Sequence, residues 1–350
     1  MNSKNKVYIC KPGCNLQPKP NKTNLQIREM EAMQSALALS DVHAELVTID
    51  YIIQHLEYMS DAKIICFNSA ACFNHELSRL INACCFCQRI DLTLISNDCR
   101  LNFNVKRPAD SQAITRFMRK VQSGVASCRI LTNASKSLLD YRDIVLDWPH
   151  KQLVPIYHSE LWTLPSFMPG AADNADKTVS AVFACMHFCD YSDKRKQQLV
   201  ELRQYFGDKL VLTGDMSGMI VDGAEIESTV TDTATVWQWY KHAKTTPVLL
   251  EPNYDQFGVM PNRVSEAIAC RCMPILSTED IQHYAAYADL PLPACDIADT
   301  LPIIMLQYIE QYDDTAVQHL LDMLQRAMDM HRQLFVQQLT TLFKVNIDED

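Results

Sequence analysis

The sequence predicts an α/β protein made of two parallel-sheet domains in series. Short apolar segments rich in β-branched residues alternate with stretches of helical period along nearly the whole chain, the pattern of strands covered by helices. A run of small, polar and helix-breaking residues from Leu164 to Asp176 interrupts that series near its middle, as a linker does. The third observation is length: 350 residues fill two medium cores more readily than one large one.

In the first series, Val7-Tyr8-Ile9-Cys10 reads as a strand, a helix runs from about Asn24 to Ser40, and Ala44 to Ile49 is the second strand. Lys63 to Phe67 and Leu92 to Ile95 continue the strands, with a helix from about His75 to Arg89 between them. Further strands are expected at Arg129-Ile130-Leu131 and Ile144-Val145-Leu146. The second series opens with Ala181 to Ala184, a helix from about Asp193 to Phe206, and Leu210 to Thr213. A helix through Trp237 and Tyr240, a strand at Val248-Leu249-Leu250, a helix begun by Pro261 and a short buried strand around Pro274 complete it. Helices dominate from about Leu301 to Phe343, long enough for a terminal helix to cross back onto the first domain. The expected division is a first domain at 1–163, a linker at 164–177, a second domain at 178–320 and a returning helix at 321–350.

Composition excludes several classes. Hydrophobic residues make up 48% and charged ones 21%, as in an ordinary globular protein rather than a disordered one. No apolar run is long enough to span a bilayer, and Met1 to Lys6 lacks the apolar core of a signal peptide, so a soluble, intracellular protein is expected. Many of the fourteen cysteines, among them Cys66, Cys84, Cys85 and Cys185, sit inside apolar segments and read as reduced core residues. Cys10 with Cys14, Cys84 with Cys85 and Cys87, and Cys270 with Cys272 lack the paired C-x-x-C spacing of a zinc site. A net charge of −10 argues against a protein coated in nucleic acid, though it allows a local basic groove.

The most informative stretch is Pro261 to Cys270. Arg263 and Glu266, three residues apart, project from one face of the first helical turn. A cation and a carboxylate beside the N–H groups of a helix start suit a ligand carrying both phosphates and sugar hydroxyls, such as a nucleotide sugar; a solvated surface pair has the same spacing. Two such domains could bind a dinucleotide, but the chain has no G-x-G-x-x-G, no P-loop and only eight glycines. That leaves the GT-B architecture of glycosyltransferases, two Rossmann-like domains facing across a cleft in which donor and acceptor meet. Asp98 stands at the carboxyl end of an apolar strand, where open α/β sheets place ligands. Inverting glycosyl transfer needs a carboxylate to take the acceptor proton, and Asp98 fits that role; a turn aspartate after Asn97 is the plainer reading.

Four segments, in order and at compatible spacing, resemble the bacteriophage DNA β-glucosyltransferases. Leu94 to Phe103 contains aspartate, any residue, arginine, leucine, any residue, phenylalanine, like that family's strand-end motif, and Asn104-Val105-Lys106-Arg107-Pro108 is similar to its basic turn. Phe67-Asn68-Ser69 resembles its strand-end Asn-Ser, and Arg263-Val264-Ser265-Glu266, preceded by Asn253-Tyr254, its second-domain motif. The resemblance implies inverting transfer of a sugar from a UDP-glucose-like donor to the hydroxymethyl group of a modified cytosine or uracil in double-stranded phage DNA. It also implies a monomer in the cytoplasm of an infected cell, with no membrane partner and no required cofactor, a divalent metal at most stimulating the reaction.

Residue by residue, the resemblance makes Asp98 the base and Glu29, by ungapped spacing, a second functional carboxylate. It assigns the donor to Arg195, Gly214, Arg263 and Glu266, and the acceptor DNA to Asn68, Ser69, Arg100, Lys106 and Arg107. For Arg195 a solvated charge run from Lys194 to Lys196 is the alternative, and Glu29 shares its helix with Glu31, an equally good surface acid. The chain departs from the family where a glycine-rich turn is replaced by Ala184-Cys185-Met186, and where Tyr191 or a neighbour replaces a second arginine. From Arg100 to Arg129, Arg100, Lys106, Arg107, Arg116, Arg119, Lys120 and Arg129 stand against the single acid Asp110, a stripe suited to phosphates or simply a charged helical face. A DNA acceptor would have its base flipped out of the duplex. The acidity of the whole chain favours instead a protein, polysaccharide or small-molecule acceptor, and a non-catalytic nucleotide-binding protein is the remaining alternative.

Overall fold

The computed structural model describes residues 6–14, 25–58, 61–67, 75–96, 108–133, 148, 150–168, 175–229, 233–249, 260–277, 281, 290–292, 294–295 and 301–343. These fall into two units. The first holds the described residues from Lys6 to Phe167 together with Arg332 to Phe343; the second holds Met168 to His331, with Leu25 counted to it.

The first unit is built on six parallel strands: β1 (Val7–Cys10), β2 (Ala44–Leu46), β3 (Asp61–Phe67), β4 (Arg89–Ser96), β5 (Ala126–Thr132) and β6 (Ile156–His158). Their order is β2-β1-β3-β4-β5-β6, so the sheet reverses its direction of growth between β1 and β3, its topological switch point. Burial on both faces explains the nearly unbroken apolar runs: Ile64 to Phe67 are fully buried, as are Leu92 and Leu94. Helices α1 (Leu25–Ala38), α2 (Ile49–His55), α3 (His75–Cys84) and α4 (Pro108–Gln122) make the crossovers.

Three sequence expectations change here. Thr48 and Ile49, read as a strand end, start α2, because the Thr48 hydroxyl caps it by accepting from the Tyr51 N–H at 3.1 Å. The helix expected to reach Arg89 stops at Cys84, and Arg89 opens β4. Leu164 to Phe167, the start of the expected linker, lie in a buried 3-10 helix (Leu161–Phe167) and pack into the first unit. The strand expected at Ile144 to Leu146 lies outside the described residues.

The second unit carries β7 (Val179–His187), α5 (Asp193–Phe206), β8 (Leu210–Asp215), a small hairpin of β9 (Ile220–Val221) and β10 (Ala224–Glu225), α6 (Thr233–His242) and β11 (Ala243–Pro247). It continues with α7 (Asn262–Ala269), β12 (Met273–Ser277), β13 (Ala294–Cys295), α8 (Leu301–Glu310) and α9 (Thr315–Phe343). The main sheet is parallel with order β13-β12-β11-β7-β8, and its switch point lies between β7 and β11. The strand expected at Val248 to Leu250 is β11 instead, five residues earlier, where Thr245 and Thr246 are buried and the Thr245 hydroxyl donates to the Ser180 carbonyl at 3.2 Å. Pro274 stands inside β12. The ladder to β13 covers only Leu276 and Ser277, so a missing N–H at Pro274 breaks none of its bonds.

The long α9 belongs to both units, changing between His331 and Arg332. Arg271 ties its first half to the second unit by bonds of 2.7 Å to Asp322 and 2.9 Å to Gln318. In the first unit, Gln338 accepts from the Ser159 hydroxyl at 2.6 Å and donates to the His158 carbonyl at 2.8 Å, and Phe335 packs on Phe167. The terminal helix therefore returns to the first sheet.

Candidate functional site

Helix α7 connects β11 to β12, so its first turn lies at the carboxyl edge of the second sheet, beside the switch point. Its N-cap is Pro261, which has no side-chain acceptor for the first-turn N–H groups. Arg263 sits in that turn. Its Nη2 donates to the Tyr191 hydroxyl at 3.2 Å, and its guanidinium carbon lies 5.3 Å from the centre of the Phe183 ring. Glu266, one turn on, is 8% exposed, which removes it from the class of solvated surface acids.

The first turn of α5 is at the same edge, following β7. Within it Asp193 and Lys194 are exposed, but Arg195 is only 4% exposed and donates to Gln198 at 2.8 Å. The run Lys194 to Lys196 is therefore a buried cation flanked by solvated charges. Gly214, the penultimate residue of β8, stands opposite Cys185 of β7. Its φ is +109°, and a Cβ there would overlap the Cys185 carbonyl oxygen. Gly214 donates its N–H to the Thr229 hydroxyl at 2.9 Å, and Asp215 beyond it accepts from Ser217 at 2.6 Å and Ser228 at 3.3 Å.

All four donor residues expected from the sequence thus stand at one edge of one sheet. Two arginines, two helix starts and a buried carboxylate at one sheet edge are groups of the kind that an anion also carrying hydroxyls requires. Sequence reasoning missed the partners of Arg263. Burial pushes the Cys185 thiol up to about 11, with Arg263 pulling it down, and pushes the Tyr191 phenol up with Arg263 again opposing. In the sequence Tyr191 or a neighbour marks only a departure from an expected arginine.

In the first unit, Glu29 of α1 accepts from Lys11 at 2.6 Å, both side chains being mostly buried. Lys11 follows β1 at the first sheet's own switch point, and the Gly13 N–H donates to Glu76 at 2.5 Å. Glu29 is therefore half of an ion pair at the carboxyl edge of the first sheet, while Glu31 is exposed. Asp98, Asn68, Ser69, Arg100, Lys106 and Arg107 lie outside the described residues. Of the remaining bases in the stripe, two are committed to the fold: Lys120 donates to the Cys84, Cys85 and Cys87 carbonyls, and Arg129 pairs with Asp91 at 2.6 Å. Among the described residues, no three His, Cys, Asp or Glu side chains gather as a metal site requires, the cysteines form no disulfide, and no helix is long and apolar enough to cross a membrane.

No protein-family model matches the chain, and no curated protein matches it in sequence. Solved structures do match. The chain is similar to an alpha-glucosyltransferase in complex with UDP and a 13-mer DNA containing a HMU base, with a TM-score of 0.62 and 8% identity over 97% of this chain and 99% of the other. It is similar to an alpha-glucosyltransferase in complex with UDP and a 13-mer DNA containing a central A:G mismatch, with a TM-score of 0.57 and 8% identity over 98% and 100% of the chains. A complex of alpha-glucosyltransferase with UDP-glucose and DNA containing an abasic site matches with a TM-score of 0.55 and 9% identity over 97% and 100%. At such identity the likeness is one of fold, and the fold of this chain is GT-B. The motif resemblance was to β-glucosyltransferases, whereas these structures are of an alpha-glucosyltransferase, so the fold is the common ground and the linkage is not.

Proposed function

We propose that the chain is an inverting glycosyltransferase that moves a sugar from a nucleoside diphosphate donor, UDP-glucose-like, to the hydroxymethyl group of a modified pyrimidine in double-stranded DNA. The observation that carries the donor half is that Arg195, Gly214, Arg263 and the buried Glu266 all lie at the carboxyl edge of the second sheet. Residues 178–320 are the donor domain in this reading and 1–163 the acceptor domain. UDP, UDP-glucose and DNA accompany the alpha-glucosyltransferases that share the fold, which supports both halves.

In the reaction the acceptor oxygen attacks the anomeric carbon, the bond from that carbon to the diphosphate breaks, and Asp98 receives the hydroxyl proton. Charge grows on the departing diphosphate, where Arg263, Arg195 and the N-termini of α5 and α7 oppose it without reorganising. Glu266 accepts hydrogen bonds from the ribose hydroxyls. Arg100, Lys106 and Arg107 hold DNA phosphates, Asn68 and Ser69 orient the extruded base, and the Lys11–Glu29 pair borders the acceptor crevice. A second reading, transfer with retention, is favoured by the alpha-glucosyltransferase identity of the fold matches. The anomeric configuration of the product, read by NMR, separates the two.

Calorimetric titration tests the donor half. Arg263→Ala is expected to weaken UDP binding by about 2 kcal/mol, roughly thirtyfold, because a charge-assisted hydrogen bond to phosphate is removed. Glu266→Ala is expected to narrow the preference for UDP over dUDP. Unchanged affinities in both variants would put the donor site elsewhere.

A further inference from the structure

Arg263 is gripped from two sides. The ring of Phe183, a fully buried residue of β7, lies against its guanidinium at 5.3 Å, and Tyr191 accepts a hydrogen bond from Nη2 at 3.2 Å. Tyr191 is itself fixed. Its N–H donates to the Phe188 carbonyl at 3.2 Å, and its ring lies 6.1 Å from that of Phe183. A chain of contacts therefore runs from the end of β7 to the first turn of α7, across the switch point of the sheet.

We propose that Tyr191 is a positioning residue for the donor diphosphate, fixing the Arg263 guanidinium in one orientation before the ligand arrives. The inference rests on the reading of this edge as the donor site. A free arginine side chain is rotamer-rich, and ordering it on binding subtracts from affinity. One already stacked and hydrogen-bonded loses less. A phenol adds no charge toward a diphosphate; what it adds is geometry for the cation. The site thus relies on one well-held guanidinium at this corner.

The test is a cycle on the full chain with Tyr191→Phe, Arg263→Ala and the double variant, measuring affinity for UDP and for uridine by ligand-observed NMR. Tyr191→Phe keeps the buried ring and removes only the hydroxyl. It is expected to weaken UDP roughly five- to tenfold while changing uridine less than about twofold, because only the diphosphate meets Arg263. In the Arg263→Ala background the same change is expected to leave UDP affinity unaltered, since nothing remains to position. A uridine loss equal to the UDP loss would make Tyr191 merely structural and overturn the inference. So would unchanged UDP affinity, or a full additional loss without Arg263. Wild-type protein that binds neither probe would overturn the donor reading first, whereas wild-type binding with any of those variant results overturns this inference alone.

Discussion

In the proposed reaction Asp98 is the base, and that role can be separated from binding. A carboxylate that takes the acceptor proton acts in the transition state, so Asp98→Ala is expected to lower turnover by about two to four orders of magnitude while leaving UDP affinity nearly unchanged. Steady-state kinetics paired with titration checks both numbers. Turnover like that of the wild type would remove Asp98 from the mechanism, and an α-linked product would assign the retaining reading instead. At this scale legibility was uneven. Spacing put Arg263 and Glu266 on one helical face, and the structure adds what spacing could not, namely that Glu266 and Arg195 are buried. Sequence left Arg195 open between a phosphate ligand and a solvated run because burial depends on what packs over a helix start. Tyr191 and Phe183 were illegible as partners of Arg263, since 72 residues separate Tyr191 from Arg263 along the chain.

Elements whose signals were local were the most legible. The apolar runs of β1, β3, β4 and β7 and the whole of α5 from Asp193 to Phe206 read directly, because burial on both faces or a clean start signal writes itself into sequence. Strand β11, Ala243-Lys244-Thr245-Thr246-Pro247, did not, because buried threonines imitate a loop. Helix α4 was read as charge rather than structure, although Pro108 at its first position and buried Ile114, Phe117 and Met118 had the right period. That distinction yields a prediction. Lys120 of α4 closes the C-terminus of α3, so Lys120→Met is expected to lower stability by about 1–3 kcal/mol in urea melts and leave the salt dependence of DNA binding alone. Lys106→Ala with Arg107→Ala is expected to do the reverse, spare stability and flatten the salt slope by about one unit for each phosphate no longer neutralised. Equal salt slopes in that double variant and the wild type would remove the stripe from DNA binding.

For the whole molecule, the buried thiols set the alkaline limit. Burial pushes Cys128 and Cys272 up to about 12 and Cys185 to about 11, and raises Cys10, Cys84 and Cys270. A folded-state value above the unfolded one stabilises below the unfolded value, and that contribution is lost as pH rises toward the folded one. The melting temperature is therefore expected to hold between about pH 7 and 8 and to fall steadily above about pH 9, near the ordinary thiol value. Lys63 and Lys177, which burial lowers, act in the opposite sense but are fewer. A melting temperature flat or rising through pH 10 would contradict the burial of these thiols. If DNA is the acceptor as proposed, the net charge of −10 bears on function at the same scale, because long-range repulsion leaves the affinity to local contacts.

The central claim, sugar transfer from a nucleotide to DNA, is tested most directly by mass spectrometry of nucleosides. Duplexes containing hydroxymethylcytosine or hydroxymethyluracil are incubated with the enzyme and a panel of nucleotide sugars, with and without chelator, then digested. The account predicts one modified nucleoside carrying a single added sugar, formed with one donor and still formed in chelator. Unmodified nucleosides with every donor and both bases, from protein that binds UDP, would contradict it.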